Sequence, residues 1–95
     1  MSSSRSTKRK ESISSQKNKS DYYSLFLFND DYNHYEYVID SLVEVCNHNR
    51  LQAEQCTLIA HHKGKCDIKT GEFSKLKLMK DELSRRGLSS TIVSQ

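Results

Sequence analysis

Two hydrophobic patterns follow each other in the first half of the chain. Residues 22–28 read Tyr-Tyr-Ser-Leu-Phe-Leu-Phe, and a run this dense in aromatic and branched side chains predicts a β-strand that is apolar on both faces, hence central or covered. Apolar residues then recur every three or four positions, which predicts a helix from His34 to Cys46 or Asn47. The inner stripe of this helix is Tyr35, Val38, Leu42, Val45 and Cys46.

Capping residues mark the start of this helix. Asn33 is suited to the N-cap, because its side-chain oxygen can accept a backbone N–H of the first turn. Glu36, three residues later, completes a capping box, and Tyr32 and Tyr37 occupy the positions of a hydrophobic staple. The sequence therefore predicts that the helix begins directly after Asn33.

A second helix follows the first almost at once. Asn49 can cap it, and Gln52 is placed to complete another capping box. This helix is expected to end near His62, since Gly64 readily adopts the left-handed conformation found after helix ends. Its inner stripe is Ala53, Cys56, Thr57 and Ala60.

Two strands and one helix complete the pattern. Alternation over residues 65–69 predicts a short strand, and residues 70–71 a turn. A third helical stripe comprises Phe73, Leu76, Met79 and Leu83. Gly87 ends that helix, and residues 88–93 form the last predicted strand. The order β-α-α-β-α-β predicts an α+β domain over residues 21–95, with a three-stranded antiparallel sheet packed against three helices.

Charge is distributed unevenly along the chain of 95 residues. Residues 1–20 hold six basic residues and one acidic residue, a charge of +5, and so few apolar side chains that we expect a disordered basic extension. Residues 21–95 hold nine basic and eleven acidic residues, a charge of −2. Nucleic-acid binding is therefore not expected of the folded domain. A small nucleic-acid- or ribosome-associated protein that acts through the extension is the alternative.

Membrane insertion and export are not indicated by the sequence. No run approaches the roughly 18 apolar residues of a membrane-spanning helix, and residues 1–20 lack the apolar core of a signal peptide. We therefore expect a cytoplasmic protein with no membrane partner.

The cysteines give little sign of metal or redox chemistry. Cys46, Cys56 and Cys66 are odd in number and form no Cys-x-x-Cys motif, which argues against a disulfide framework and a zinc ribbon. Cys66 with His61 or His62 could in principle bind a metal or supply a nucleophile and base, but no accompanying signature supports either. We expect no metal, no cofactor and no enzymatic activity.

A polar cluster stands between the first strand and the first helix. Asn29, Asp30 and Asp31 follow the apolar strand directly. Such a cluster can be a solvated turn, or it can bind a cation or an amine. Both interpretations are open on these residues alone.

Several short motifs, in this order and spacing, resemble the ClpS family, whose members deliver substrates to the ATP-dependent Clp protease. The motifs are Asn29-Asp30-Asp31-Tyr32, Glu36-Tyr37-Val38-Ile39-Asp40 with Leu42, Ala53 with Gln55, and Ala60-His61-His62-Lys63-Gly64-Lys65. The resemblance covers about 70 of the 95 residues.

The resemblance implies a recognition module that binds the free N-terminus of proteins starting with a bulky hydrophobic residue, an N-degron. By position, Asn29, Asp30 and His61 would contact the α-amino group of the substrate. An ammonium has three donors, and an amide oxygen, a carboxylate and an imidazole nitrogen are acceptors. The hydrophobic pocket would be formed by Asp31, Asn33, Tyr35, Val38, Thr57, Ala60 and Leu88.

Departures from the family pattern predict an altered pocket. Tyr35 and Thr57 stand where Met is common, and Asn33 stands where Thr is common, so the pocket should be more polar and differently shaped.

The resemblance also implies a protein partner. Glu72 and Lys77 would face the N-terminal domain of a ClpA- or ClpC-like AAA+ ATPase, with solvated surface charge as the alternative for both residues. The extension over residues 1–20 would be the flexible segment that the unfoldase engages, and the adaptor itself is expected to be a monomer.

Overall fold

The computed structural model describes residues 22–95, so the predicted disordered extension lies outside the described residues. The elements are β1 (Tyr23–Phe28), α1 (Tyr35–Cys46), α2 (Arg50–Lys63), β2 (Lys65–Gly71), α3 (Phe73–Arg85) and β3 (Ser90–Ser94). The predicted order β-α-α-β-α-β is confirmed. None of the helices in residues 22–95 is long and apolar enough to cross a bilayer.

The sheet has the order β2-β1-β3, with both pairs antiparallel. The first strand was predicted to be central or covered, and it is the central strand of the sheet. Leu25 and Leu27 of β1 are fully buried at the centre of the hydrophobic core. The core also takes the buried apolar side chains of all three helices, Val38, Ile39, Leu42, Cys46, Ala53, Cys56, Ala60, Leu76 and Leu83.

Two strand boundaries differ from the prediction. The expected turn at residues 70–71 is wrong, because Thr70 and Gly71 pair with Ser24 and Tyr23 and extend β2. The last strand begins at Ser90 instead of residue 88. In both places pairing with β1 decides the boundary and overrides the local sequence preference.

The second helix begins and ends as predicted. The Asn49 side-chain oxygen accepts the backbone N–H of Gln52 at 2.8 Å, which makes Asn49 the N-cap of α2. Gly64 ends the helix with a φ of +93°, a conformation that favours glycine.

The predicted cap of the first helix is wrong. The N-cap of α1 is His34, one residue beyond the predicted Asn33. The staple is wrong as well, since Tyr32 is 98% exposed and the Tyr37 hydroxyl donates instead to the Arg86 carbonyl at 2.8 Å. The Asn33 side chain forms two other hydrogen bonds, which belong to the site described next.

Candidate functional site

A cleft lies between the end of β1, the start of α1 and the second half of α2. Its lining residues are Leu27, Phe28, Asn29, Asp30, Asn33, Tyr35, Val38, Thr57, Ala60 and His61. The cavity is about 20 Å³, room for a single water molecule, and the space between its walls grows to about 290 Å³ when the mouth is included. The cleft is therefore narrow at its base and open above.

The structure brings most of the predicted site residues together in this cleft. All three predicted amine contacts, Asn29, Asp30 and His61, line it. Five of the predicted pocket residues line it too, namely Asn33, Tyr35, Val38, Thr57 and Ala60. Residues from three separate elements thus meet at one place, while their roles in binding stay predictions.

Two predicted pocket residues are not among the lining residues. Asp31 is exposed, and its Oδ1 accepts a hydrogen bond from Asn29 Nδ2 at 3.2 Å. Leu88 is buried in the hydrophobic core, and its backbone N–H bonds to the Leu83 carbonyl at 2.9 Å. The role of these two residues in a pocket stays a prediction.

Sequence reasoning missed two lining residues. Leu27 and Phe28 are the last residues of β1 and directly precede the polar cluster. Their position at the strand end, next to Asn29, is the signal that could have identified them.

Asp30 organises the loop from β1 to α1. Its Oδ1 accepts the backbone N–H groups of Tyr32 at 2.8 Å and Asn33 at 2.9 Å, and its Oδ2 accepts Asn33 Nδ2 at 2.7 Å. Partial burial raises the pKa of the Asp30 carboxyl, but the three hydrogen bonds outweigh it and hold the pKa below its usual value. Asp30 is therefore an anion at neutral pH.

One backbone hydrogen bond joins the strand end to the end of α2. The N–H of Asn29 donates to the carbonyl of Gly64 at 2.9 Å. This bond holds the polar cluster beside the last turn of α2, where His61 lies. The His61 ring meets the Tyr35 ring edge to face, with centroids 6.4 Å apart, and the His62 ring with centroids 5.3 Å apart.

The base of the cleft is apolar. Val38, Thr57 and Ala60 are all buried. The Thr57 hydroxyl donates to the carbonyl of Ala53 at 2.8 Å, so its hydrogen is already used within α2. Thr57 consequently adds less polarity to the cleft than its side-chain type indicates.

The three cysteine side chains are buried, whereas His61 and His62 are exposed. Burial raises the pKa of Cys66 to about 12, with a further contribution from the adjacent Cys56 thiol, and raises the pKa of Cys46 to about 11. Such thiols are protonated at neutral pH, which does not favour a Cys66 nucleophile paired with His61 or His62. Within residues 22–95 no three His, Cys, Asp or Glu side chains are grouped so that they could hold a metal ion.

The two predicted docking residues lie outside the cleft. Glu72 is the N-cap residue of α3, and Lys77 lies on that helix, where its Nζ pairs with Asp81 at 2.8 Å. Lys77 is half exposed, as a surface ion pair on a helix is expected to be.

Comparison with known proteins matches this chain to one family. The family model described as ATP-dependent Clp protease adaptor protein ClpS matches residues 18–91. An ATP-dependent Clp protease adapter protein ClpS from Neisseria meningitidis serogroup B is 37% identical over 57 residues, which are 58% of this chain and 57% of the relative. The aligned stretch thus spans little more than half of that relative.

A solved structure has the same fold. The structure of Agrobacterium tumefaciens ClpS2 bound to L-phenylalaninamide matches with a TM-score of 0.76 and 22% sequence identity. The match covers 80% of this chain and 99% of that one. At this level of identity the match shows the fold alone.

Proposed function

The chain belongs to the ClpS family of adaptors for the ATP-dependent Clp protease, and from that premise we propose that its cleft binds the free N-terminus of proteins that begin with a bulky hydrophobic residue. One observation carries the proposal. Asn29, Asp30 and His61 line the same cleft as the buried Val38 and the buried stretch of α2. An acceptor-rich rim above an apolar base matches an ammonium group beside an apolar side chain.

The acceptor-rich rim formed by Asn29, Asp30 and His61 should bind a cationic amine more tightly than a neutral amide. Asp30 is ionised, and three donors occupy three of the roughly four acceptor positions of its carboxylate, which leaves one for an ammonium hydrogen. A charged hydrogen bond of this kind is worth roughly 1.5 to 3 kcal/mol. Acetylation of the substrate N-terminus removes the charge and two of the donors, so only free N-termini should bind.

The apolar base should select the side chain that follows the amine. Burying one large apolar side chain is worth roughly 1.5 to 3 kcal/mol. The base of the cleft, about 20 Å³, is too small for a leucine or phenylalanine side chain, so its walls must move apart on binding. Tyr35 is the wall residue that we expect to move, because it is 44% exposed and its ring meets the His61 ring edge to face.

The ligand in the matching solved structure combines a free amine with an apolar side chain. L-phenylalaninamide, which is bound to Agrobacterium tumefaciens ClpS2, carries a free α-amino group and a benzyl side chain. We carry this ligand class over to the present cleft as part of the proposal.

Delivery to the protease is the second half of the proposal. The bound substrate would be presented to an AAA+ Clp unfoldase, with Glu72 and Lys77 as candidate contacts to its N-terminal domain. The adaptor itself would act without catalysis, as a monomer in the cytoplasm.

Two substitutions test the amine site. Asp30→Asn keeps an oxygen for the N–H groups of Tyr32 and Asn33 but removes the charge, and His61→Ala removes the imidazole. Each should weaken binding of a peptide with a free N-terminal phenylalanine by about tenfold to a hundredfold, the loss of one charged hydrogen bond. The matched control is His62→Ala, which removes the neighbouring exposed ring and should bind as the unaltered protein does. Unchanged affinity in both site variants would contradict the assignment.

A further inference from the structure

The turn between α3 and β3 is fastened to the start of α1 at two consecutive carbonyls. Asn33 Nδ2 donates to the carbonyl of Gly87 at 3.2 Å, and the Tyr37 hydroxyl donates to the carbonyl of Arg86 at 2.8 Å. The two acceptors lie about fifty positions away from their donors along the chain. The turn is therefore tied directly to the loop that carries Asp30.

The turn is itself held firmly on α3. Gly87 has a φ of +83°, and its N–H bonds to the Ser84 carbonyl at 3.0 Å. The Arg86 guanidinium links α1 to α3, since its Nη1 pairs with Glu44 of α1 at 2.7 Å and its Nε with Glu82 of α3 at 3.3 Å. These bonds fix the position of the carbonyls of residues 86 and 87 relative to α1.

Asn33 transmits this position to Asp30. A side-chain amide has two hydrogens, and those of Asn33 go to Asp30 Oδ2 and to the Gly87 carbonyl. The orientation of the Asn33 amide is therefore set by the turn on one side and by the carboxylate on the other. A shift of the turn therefore alters one of the three hydrogen bonds that orient the Asp30 carboxylate.

We propose that the α3–β3 turn orients the Asp30 carboxylate for amine binding, and that Tyr37, which does not line the cleft, is a positioning residue for that site. This inference rests on the proposed function of the cleft. The Tyr37 hydroxyl holds the carbonyl of Arg86 and thereby the position of the next residue, Gly87. The Gly87 carbonyl in turn sets the orientation of the Asn33 side-chain amide. A turn near the end of the chain thereby contributes to a site whose lining residues lie between positions 27 and 61.

Tyr37→Phe tests the inference, because it deletes one hydroxyl outside the cleft. Binding of a fluorescent peptide with a free N-terminal phenylalanine should weaken about threefold to tenfold, the effect of one ordinary hydrogen bond. The matched control is Tyr32→Phe, which deletes the same hydroxyl from a residue that is 98% exposed in the loop that carries Asp30. This control should bind within twofold of the unaltered protein.

The pKa of Asp30, followed by NMR titration of its carboxyl carbon, separates positioning from simple destabilisation. Hydrogen bonds from Asn33 and Tyr32 hold this pKa low, so a relaxed Asn33 amide lets it rise. We expect a rise in Tyr37→Phe and a larger rise in Asn33→Ala, with no change in Tyr32→Phe. A residue that only stabilised the fold would lower the unfolding midpoint without moving the pKa of Asp30.

The outcomes separate this inference from the proposed function. If the unaltered protein binds the peptide, binding by Tyr37→Phe within twofold overturns the inference, and so does weaker binding with an unchanged pKa of Asp30. If the unaltered protein binds no peptide, the proposed function fails. The pKa of Asp30 then decides: a rise in Tyr37→Phe supports positioning by the turn, and no rise overturns it.

Discussion

At the scale of single residues, Asp30 combines a folding role with a proposed binding role. Its carboxylate accepts three hydrogen bonds from its own loop, which shapes the approach to α1 and keeps the acid ionised. Stability from this lowered pKa is present above the carboxyl's unfolded pKa and is lost as the pH falls through the lower folded value. The same ionisation supplies the charge that an ammonium requires.

The buried thiols give a prediction at the same scale. Cys46 and Cys66 have pKa values near 11 and 12 in the fold, against an ordinary value of 9.0. Because the folded values are higher, their contribution to stability is complete below about pH 9 and is lost as the pH rises towards 11 to 12. The free energy of unfolding, measured with urea, should therefore fall above pH 9.

A control assigns that fall to the thiols. The decline above pH 9 should be shallower in Cys66→Ala, which lacks one ionising group. The unaltered protein should also react slowly with Ellman's reagent at pH 8 until it is unfolded. Rapid labelling of the folded protein at that pH would contradict the burial on which this prediction depends.

At the scale of elements, α3 shows how one helix separates core from surface. Leu76 is 1% exposed and belongs to the core, whereas Leu78, two residues later, is 72% exposed. Leu76→Ala should lower the free energy of unfolding by roughly 2 to 5 kcal/mol, and Leu78→Ala by less than about 0.5 kcal/mol. Urea unfolding of the two variants measures the difference directly. Equal losses would mean that α3 packs through another face.

Local sequence predicted the elements well where their signals were self-contained. Asn49 caps α2 because its donor, the N–H of Gln52, lies within the same turn. Asn33 misled because its side-chain amide donates to Asp30 in the same loop and to the carbonyl of Gly87, which lies on a distant turn that the local sequence does not place. Thr70 was likewise predicted to be a turn residue, but it pairs with Ser24 and belongs to β2.

Part of the candidate site could also be predicted from the sequence. The polar cluster and His61 were recognised from motifs, and a single backbone bond from Asn29 to Gly64 brings them together. Leu27 was missed because a buried strand residue looks like ordinary core. Leu88 was assigned to the pocket by resemblance; it is buried and is not among the residues that line the cleft.

At the scale of the whole molecule, the cleft is a product of the complete fold. Its walls come from β1, α1 and α2, and the α3–β3 turn is fastened to the loop beside them. The central position of β1 links these parts, since it pairs with both other strands and ends at the polar cluster. A binding site assembled in this way should be lost cooperatively when the domain unfolds.

As a whole, the molecule is proposed to bind a free N-terminal amine together with a bulky apolar side chain in its cleft. Fluorescence anisotropy with labelled peptides that start with Leu, Phe, Tyr or Trp, each beside its N-acetylated twin, tests it most directly. We expect micromolar or tighter binding of at least one free peptide and the loss of that binding on acetylation. Equal binding of both members of a pair, or no binding of any peptide, would contradict the account.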